Sequence, residues 1–140
     1  MSSSSQLTVF AVDDEQDNID LLVRALNSVY TVKSFTDPQE ALAAAVSQRP
    51  VGLAIDYRMP ALNGVDLVKE LRRKGLTAAV LMVTAFPDVD EILFAHKTKL
   101  LYRIVPKPWQ ADELLRQMDM AIAEELYRRA ILHHRLGTPD

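Results

Sequence analysis

The sequence predicts an α/β fold in which a five-stranded, parallel, doubly wound sheet is covered by helices on both faces. Two observations predict this fold. Apolar segments rich in β-branched residues alternate five times with segments of helical periodicity, an order typical of parallel sheets. Three of the apolar segments contain almost no polar residue, as strands buried on both faces require. The 140 residues, 49% hydrophobic and 25% charged, suffice for one domain with one core.

The five predicted strands differ in how apolar they are. The first, third and fourth are almost wholly apolar and are expected at the centre of the sheet. The second, with the sequence YTVKSF, alternates polar and apolar residues and suits an edge. The strands are predicted at residues 7–12, 30–35, 51–55, 79–84 and 101–105.

The helical segments fall between the strands. They are predicted at residues 16–28, 38–48, 64–74, 88–97 and from residue 111 into the 130s. Asp37 precedes Pro38 and is expected to cap the second helix. The last helix is longer than the others and keeps an apolar stripe along its length, formed by Leu115, Met118, Ile122 and Leu126. This stripe either packs on the sheet of its own chain, forms a dimer contact or leads into a further domain.

The composition argues against several classes of protein. Without cysteine there is no disulfide, thiol nucleophile or cysteine-based zinc site, which fits a reducing compartment. The net charge of -3 and the shortness of the basic runs LRRKG and YRRA, interpreted as solvated helix faces, argue against direct contact with nucleic acid. The longest apolar run, residues 78–83, is too short to span a membrane. Residues 1–6 lack signal-peptide features, so we expect a flexible tail and a cytoplasmic protein.

Polar side chains follow four of the five predicted strands. Asp13 and Asp14 end the first, Asp56 the third and Thr84 the fourth, while the fifth leads to Lys107. Ligands of open parallel sheets bind at the carboxyl ends of the strands, so these side chains are expected to converge there. Carboxylates packed this closely repel one another unless a cation lies between them, and an all-oxygen ligand set suits Mg²⁺.

Such a set could support phosphoryl transfer to an aspartate. A carboxylate beside the metal can attack phosphorus, while Mg²⁺ and Lys107 neutralise charge on the transferred group and Thr84 donates a hydrogen bond. Each residue also has an ordinary structural interpretation: Asp13 or Asp14 could cap the first helix, and Lys107 could be a solvated lysine. A shared site explains all of them together. His96, His133 and His134 lie on predicted helices away from this edge, and no catalytic triad can be assembled around them.

Four motifs resemble those of a known family, the receiver domains of two-component response regulators. They are VDDE after the first strand, DYRMP followed by Gly64 after the third, VTA at the end of the fourth and KPW after the fifth. The resemblance covers the chain to about Glu125. It implies a flavodoxin-like receiver fold with the strand order 2-1-3-4-5 and an extended last helix. The domain would then span residues 7–125, with residues 126–140 as a helix extension, linker or dimer contact.

The resemblance also implies a role for each site residue. Asp56 would be the phosphoacceptor. Asp14 would bind Mg²⁺ directly and Asp13 through water, and Asp56 and the backbone carbonyl of Arg58 would complete the protein's share of the metal ligands. Thr84 would contact the phosphoryl group and Lys107 would pair with it.

Further residues are implied by the same resemblance. The small Ala85 would leave the pocket open, and the Lys107–Pro108 bond would be cis.

The sequence departs from the family pattern on the fifth strand. Ile104 stands where receivers usually carry an aromatic switch residue, and Tyr102, expected on the same face of the strand, could take part of that role. Pro106 is tolerable if this strand is an edge. Arg58 and Phe86 occupy positions that tune the lifetime of the phosphoryl group in the family. Because both are large, we predict slow autodephosphorylation.

Three functions follow from these interpretations. The leading one is a phosphorylation-controlled switch that a sensor histidine kinase phosphorylates and that controls an output domain or effector; it would catalyse only its own phosphorylation and dephosphorylation. The second is a degenerate receiver that acts as a docking module, favoured by Ile104. The third is a magnesium-dependent phosphatase, disfavoured because Arg58 stands where such enzymes that resemble the haloacid dehalogenase family carry a second aspartate.

Overall fold

The computed structural model describes residues 6–135. The first five residues of the predicted flexible tail and the last five residues of the predicted extension lie outside the described residues. Five parallel strands form one sheet in the order β2-β1-β3-β4-β5, as the resemblance implied. Their bounds are Thr8–Val12 (β1), Thr31–Phe35 (β2), Gly52–Asp56 (β3), Ala79–Thr84 (β4) and Arg103–Pro106 (β5). The central strands β3 and β4 are completely buried, whereas β2 lies at an edge and is largely exposed, as its alternating sequence predicts.

Five helices connect and follow the strands. Their bounds are Gln16–Leu26 (α1), Pro38–Gln48 (α2), Gly64–Arg73 (α3), Asp90–Lys97 (α4) and Ala111–Arg135 (α5). Asp37 caps α2 as predicted, since its carboxylate accepts a hydrogen bond from the amide of Gln39. In contrast, α4 begins two residues later than predicted because Val89 has an extended backbone.

Alternate residues of each central strand point to opposite faces of the sheet and build two core clusters. Phe10 and Val12 of β1 pack in the cluster covered by α2, α3 and α4, whereas Val9 and Ala11 pack in the cluster covered by α1 and α5. The sequence shows this division only as uninterrupted apolar runs. Each strand therefore has little freedom to rotate, and its carboxyl end is held at a defined point of the sheet edge.

Strand β5 differs from the prediction by about two residues. It begins at Arg103 and ends at Pro106, which is tolerated because β5 is an edge strand. Tyr102 precedes the strand and packs in the cluster of α1 and α5, whereas Ile104 packs against the other cluster. The prediction that Tyr102 shares the face of Ile104 is therefore wrong, because the alternation of the strand does not extend to residue 102.

The long helix α5 packs on its own sheet through its first half. Met118 and Ile122 are buried, and a Cβ atom on Gly52 of β3 would lie only 3.0 Å from the sulfur of Met118, so α5 lies close to the sheet. Beyond this contact the predicted stripe becomes exposed, since Leu126 is 41% accessible. The helix continues without a break to Arg135. No helix within residues 6–135 is long and apolar enough to cross a bilayer.

A buried carboxylate, Glu125, anchors α5 at the amino-terminal end of the sheet. Its side chain is fully buried and accepts hydrogen bonds from Tyr102, Thr77, Arg128 and Arg129. Burial alone would raise the pKa of Glu125, but these hydrogen bonds outweigh it and lower the pKa to about 2. The carboxylate is therefore ionised at neutral pH and joins the starts of β4 and β5 to the helix.

The two short basic runs are largely exposed, as interpreted, with one exception. Arg73 of the first run is exposed, and so is Arg128 of the second, which pairs with Glu125 one helical turn away. The guanidinium of Arg72 is instead half-buried and donates hydrogen bonds to the backbone carbonyls of Leu76, Ala78 and Leu100. For Arg72 the interpretation as a solvated surface charge is wrong, because the loops that surround it supply acceptors that the sequence pattern does not show.

Candidate functional site

All the polar side chains predicted at the strand ends lie around one cavity. Asp13, Asp14, Asp56, Thr84 and Lys107 line it together with Glu15, Asn18, Arg58, Ala85 and Phe86. The side chains of Asp13, Asp56 and Thr84 are buried, whereas Asp14 is exposed at the rim. The sheet brings them together because β1, β3, β4 and β5 are parallel and end at the same edge.

Three carboxylates form a group that could hold a cation. One oxygen atom of each of Asp13, Asp14 and Asp56 can be chosen so that all lie within 4.8 Å of one another. Carboxylate oxygens are ligands that Mg²⁺ accepts in proteins. The ligand atoms that the cavity offers therefore fit a magnesium ion. Within residues 6–135, no other group of three acids or histidines has ligand atoms this close together.

Neither Asp13 nor Asp14 is the N-cap of α1. The cap position is Glu15, whose side chain forms no capping hydrogen bond. The carboxylate of Asp13 accepts a hydrogen bond from the amide of Glu15 at 3.0 Å, which orients it ahead of the helix. The alternative interpretation of these residues as helix caps is therefore wrong, because both lie outside the helix and beside Asp56.

Lys107 connects two of the carboxylates. Its ammonium nitrogen lies 2.9 Å from Oδ1 of Asp56 and 3.3 Å from Oδ2 of Asp13. Burial lowers the pKa of Lys107, but the hydrogen bond to Asp56 and the charge of Asp13 raise it by more. The backbone amide of Lys107 donates to the carbonyl of Thr84, and the Lys107–Pro108 bond is cis as expected.

The environment of Asp56 raises the pKa of its carboxyl group. Burial is the largest cause, and the charges of Asp13 and Asp14 add to it, while Lys107 opposes them. A bound cation would act in the same direction as Lys107. The positive charge of Lys107 therefore partly offsets the burial and the neighbouring acids that raise the pKa of this buried carboxyl group.

Residues of two loops meet at the cavity. The guanidinium of Arg58, two residues after Asp56, lies over the ring of Phe86 with 4.2 Å between its central carbon and the ring centroid. The hydroxyl of Thr84 accepts a hydrogen bond from the amide of Phe86 at 2.9 Å. The loops after β3 and β4 are thus joined above the site.

Gly64 allows the end of β3 and the start of α3 to lie close together. Its amide donates to the carbonyl of Tyr57, and a Cβ atom at this position would lie 2.6 Å from the backbone oxygen of Asp56. A side chain there is incompatible with the observed backbone. Gly64, which follows the DYRMP motif, thus helps to hold Asp56 in place.

Two residues near the site, Asn18 and Glu91, were not predicted from the sequence. Asn18 lines the cavity because it lies in the first turn of α1, directly after the acidic residues that follow β1, and that proximity was the available signal. Glu91 of α4 accepts hydrogen bonds from the hydroxyl of Tyr57 and from the amide group of Asn63. The hydrogen bond to Glu91, with burial, raises the pKa of Tyr57 to about 12. No sequence signal links these residues, which lie 28 to 34 positions apart.

Comparison with known proteins identifies the class of protein that this fold and site define. Residues 9–119 match the model of the response regulator receiver domain family, and the chain therefore belongs to that family. Receiver domains of response regulators are signalling domains of two-component systems.

Two curated relatives and one solved structure illustrate the similarity. The chain is 30% identical over 120 residues to the hydrogenase transcriptional regulatory protein HoxA of Cupriavidus necator, covering 86% of this chain and 25% of HoxA. It is 32% identical over 116 residues to the DNA-binding transcriptional regulator NtrC of Salmonella typhimurium, covering 82% and 24%. It thus spans about a quarter of the length of these relatives. A crystal structure described as adenylate cyclase from Rhodopirellula baltica shares the fold, with a TM-score of 0.87, 22% identity and coverage of 95% and 99%.

Proposed function

We propose that this receiver domain is a switch controlled by phosphorylation of Asp56. The observation that carries the proposal is that one ammonium, Lys107, contacts both Asp56 and Asp13 inside a cavity that Asp14 and Thr84 also line. A structural ion pair would not require a second and third carboxylate at the same point. Phosphoryl transfer to an aspartate uses an acceptor carboxylate, a hydroxyl donor, an ammonium and a divalent cation held by further carboxylates. It would therefore use all of these side chains.

In the proposed reaction, a carboxylate oxygen of Asp56 attacks the phosphorus of a phosphohistidine. The O–P bond forms, the N–P bond breaks, and the imidazole leaves with the bonding electrons and takes up a proton. Lys107 pairs with the developing charge on the phosphoryl oxygens, and the hydroxyl of Thr84 donates a hydrogen bond to one of them.

The metal would be held by Asp13, Asp14, Asp56 and the backbone carbonyl of Arg58. Mg²⁺ supplies charge neutralisation for the transferred group when it is bound. Asp14, exposed at the rim, is proposed as a direct ligand, and the buried Asp13 is proposed to act through water while its carboxylate stays oriented by the amide of Glu15.

The proposed phosphodonor is a sensor histidine kinase, and we propose a cytoplasmic location for this chain. HoxA and NtrC are described as transcriptional regulators, and the chain matches only about a quarter of the length of each. We therefore propose that the domain controls an output domain or effector protein. A homodimer through the exposed part of α5 is a further proposal, which a size measurement before and after phosphorylation would test.

The proposal is tested by incubating the protein with Mg²⁺ and acetyl phosphate and measuring its mass. We expect the gain of one phosphoryl group, lost on chelation of Mg²⁺ and in Asp56→Asn. The matched control is Asp20→Asn, an exposed aspartate of α1 that does not line the cavity and should be phosphorylated like wild type. No mass gain, together with no Mg²⁺ binding, would favour the docking module. Hydrolysis of small phosphate esters with repeated turnover would favour the phosphatase.

A further inference from the structure

The first turn of α4 is tied to the loop that follows the phosphoacceptor through Glu91. One oxygen of its carboxylate accepts a hydrogen bond from the hydroxyl of Tyr57 and a longer one, at 3.4 Å, from the side-chain amide of Asn63. Tyr57 directly follows Asp56, and Asn63 is the N-cap of α3. One side chain of α4 therefore holds both ends of residues 57–63, which we call the β3–α3 loop.

The β3–α3 loop carries groups of the site at its start. Asp56 is the last residue of β3, and Arg58 supplies the carbonyl proposed as a metal ligand. The carbonyl of Tyr57 accepts a hydrogen bond from the amide of Gly64 at 2.8 Å, so the start of the loop is held against the first residue of α3. A movement of this backbone toward a bound group would therefore also move the Tyr57 side chain relative to Glu91.

An open groove borders both partners of Glu91. The groove lies between the β3–α3 loop and the residue before α4, and it is lined by Tyr57, Arg58, Met59, Pro60, Asn63 and Val89. Glu91 and Tyr57 are only half-buried. Because these polar contacts are exposed to water at one side, they can break without opening the core.

Strand β5 carries no aromatic side chain at the switch position. Ile104 has neither a ring nor a hydroxyl, and Tyr102 is held by Glu125 at the opposite end of the strand. Two sets of side-chain contacts link residues that follow β3 to residues that follow β4: those of Arg58 with Phe86, and those of Glu91 with Tyr57 and Asn63. Of these residues, Glu91 belongs to α4 itself.

We propose that Glu91 is a positioning residue that couples the Asp56 site to α4: its hydrogen bonds with Tyr57 and Asn63 hold α4 in place while Asp56 is unphosphorylated, and a phosphoryl group at Asp56 weakens them. This inference rests on the proposed function of Asp56. By thermodynamic reciprocity, whatever releases α4 from the loop must also change the affinity of the site for its ligand.

The test is amide hydrogen exchange of residues 90–97, measured with and without Mg²⁺ and beryllofluoride, a mimic of the phosphoryl group. In the wild type we expect exchange in α4 to become faster when the mimic binds. In Glu91→Gln and Tyr57→Phe we expect exchange about tenfold faster before the mimic is added, and a smaller further change on its addition. The effects of the two substitutions should not add in the double variant, because both weaken the hydrogen bond between Tyr57 and Glu91.

Asp90→Asn is the matched control. It removes one negative charge from the same helical turn and changes the interaction with the helix dipole equally, but the exposed Asp90 does not contact the β3–α3 loop. Its exchange in α4 should respond to the mimic as in the wild type. A response in Asp90→Asn equal to that in Glu91→Gln would overturn the coupling.

The results separate this inference from the proposed function. If the wild type is phosphorylated at Asp56 but α4 exchanges equally with and without the mimic, the coupling is wrong and the proposed function stands. The same conclusion follows if Glu91→Gln and Tyr57→Phe behave like the wild type. If Asp56 gains no phosphoryl group, the proposed function fails, and the coupling fails with it. The unfolding midpoint of each variant in urea shows that the fold is retained.

Discussion

At the scale of single residues, Lys107 makes the acidic site compatible with a folded protein. Two buried carboxylates, Asp13 and Asp56, lie beside the exposed Asp14. Burial, and then the charges of Asp13 and Asp14, raise the pKa of Asp56. The ammonium of Lys107 contacts both buried acids and lowers this repulsion. The identity of these residues could be predicted from the sequence because each follows a strand, but their burial and distances could not.

The contact between Arg58 and Phe86 predicts a long-lived phosphoryl group. The guanidinium and the ring lie over one another, and both residues line the cavity that contains Asp56. We expect this pair to restrict the approach of water to the phosphorylated Asp56. We expect Arg58→Ala and Phe86→Ala each to accelerate loss of the phosphoryl group several-fold, measured as the decay of the phosphorylated mass after the donor is removed. Arg73→Ala, an exposed arginine of α3, is the control. Fast decay in the wild type that neither variant changes would contradict this prediction.

Glu125 predicts a specific dependence of stability on pH. Its folded-state pKa of about 2 lies below the ordinary value of 4.5, so the ionised carboxylate stabilises the fold above about pH 4.5 and this contribution disappears as pH falls toward 2. We expect Glu125→Gln to lower the free energy of unfolding by about 2–3 kcal/mol at pH 7 and by progressively less below pH 4.5.

The control for Glu125 is its neighbour. Glu124 is exposed and pairs with Arg103 at the surface, so Glu124→Gln should change the free energy of unfolding by less than about 1 kcal/mol. Urea denaturation at a series of pH values measures both variants. An equal loss in the two variants, or a loss in Glu125→Gln that does not vary with pH, would show that the buried network is not the cause.

At the scale of elements, the close approach of α3 to β3 depends on Gly64. We expect Gly64→Ala to lower the free energy of unfolding by about 1–3 kcal/mol and to slow phosphorylation, because the added Cβ atom would displace the backbone of Asp56. Gly75→Ala is the comparison: its φ of 85° makes alanine unfavourable by about 1 kcal/mol, but open space surrounds it. Only Gly64→Ala should impair phosphorylation by acetyl phosphate. Equal phosphorylation rates in both variants would contradict the positioning role of Gly64.

The elements themselves could be predicted well where the chain is apolar. Strands β1, β3 and β4 lie within a residue of their predicted bounds. Each is a short, uninterrupted apolar run next to a segment of helical periodicity, and this pattern indicates a buried strand. Strand β5 and the start of α4 shifted by about two residues, since Pro106 extends an edge strand and Val89 adopts an extended backbone. Local sequence does not determine such ends, because they depend on the neighbouring strand and loop.

At the scale of the whole molecule, α5 continues to contribute contacts to the domain beyond residue 125. Arg128 and Arg129 bind Glu125, so the helix beyond the predicted end of the domain takes part in its stability. We expect a chain that ends after Tyr127 to lose about 1–2 kcal/mol of unfolding free energy relative to one that ends after Ile131. Urea denaturation measures the difference. Equal stability of the two chains would place the functional end of the domain before Arg128.

The sequence by itself determined the class of fold, the order in which strands and helices follow one another, and the family, because apolar runs and the residues after each strand are local properties. The tertiary structure alone decided which side Tyr102 occupies, that Glu125 is buried against Thr77 and Tyr102, and that Glu91 of α4 reaches the loop after Asp56. The reason is physical: these contacts join residues distant in the chain, and they form only after the helices have packed on the sheet.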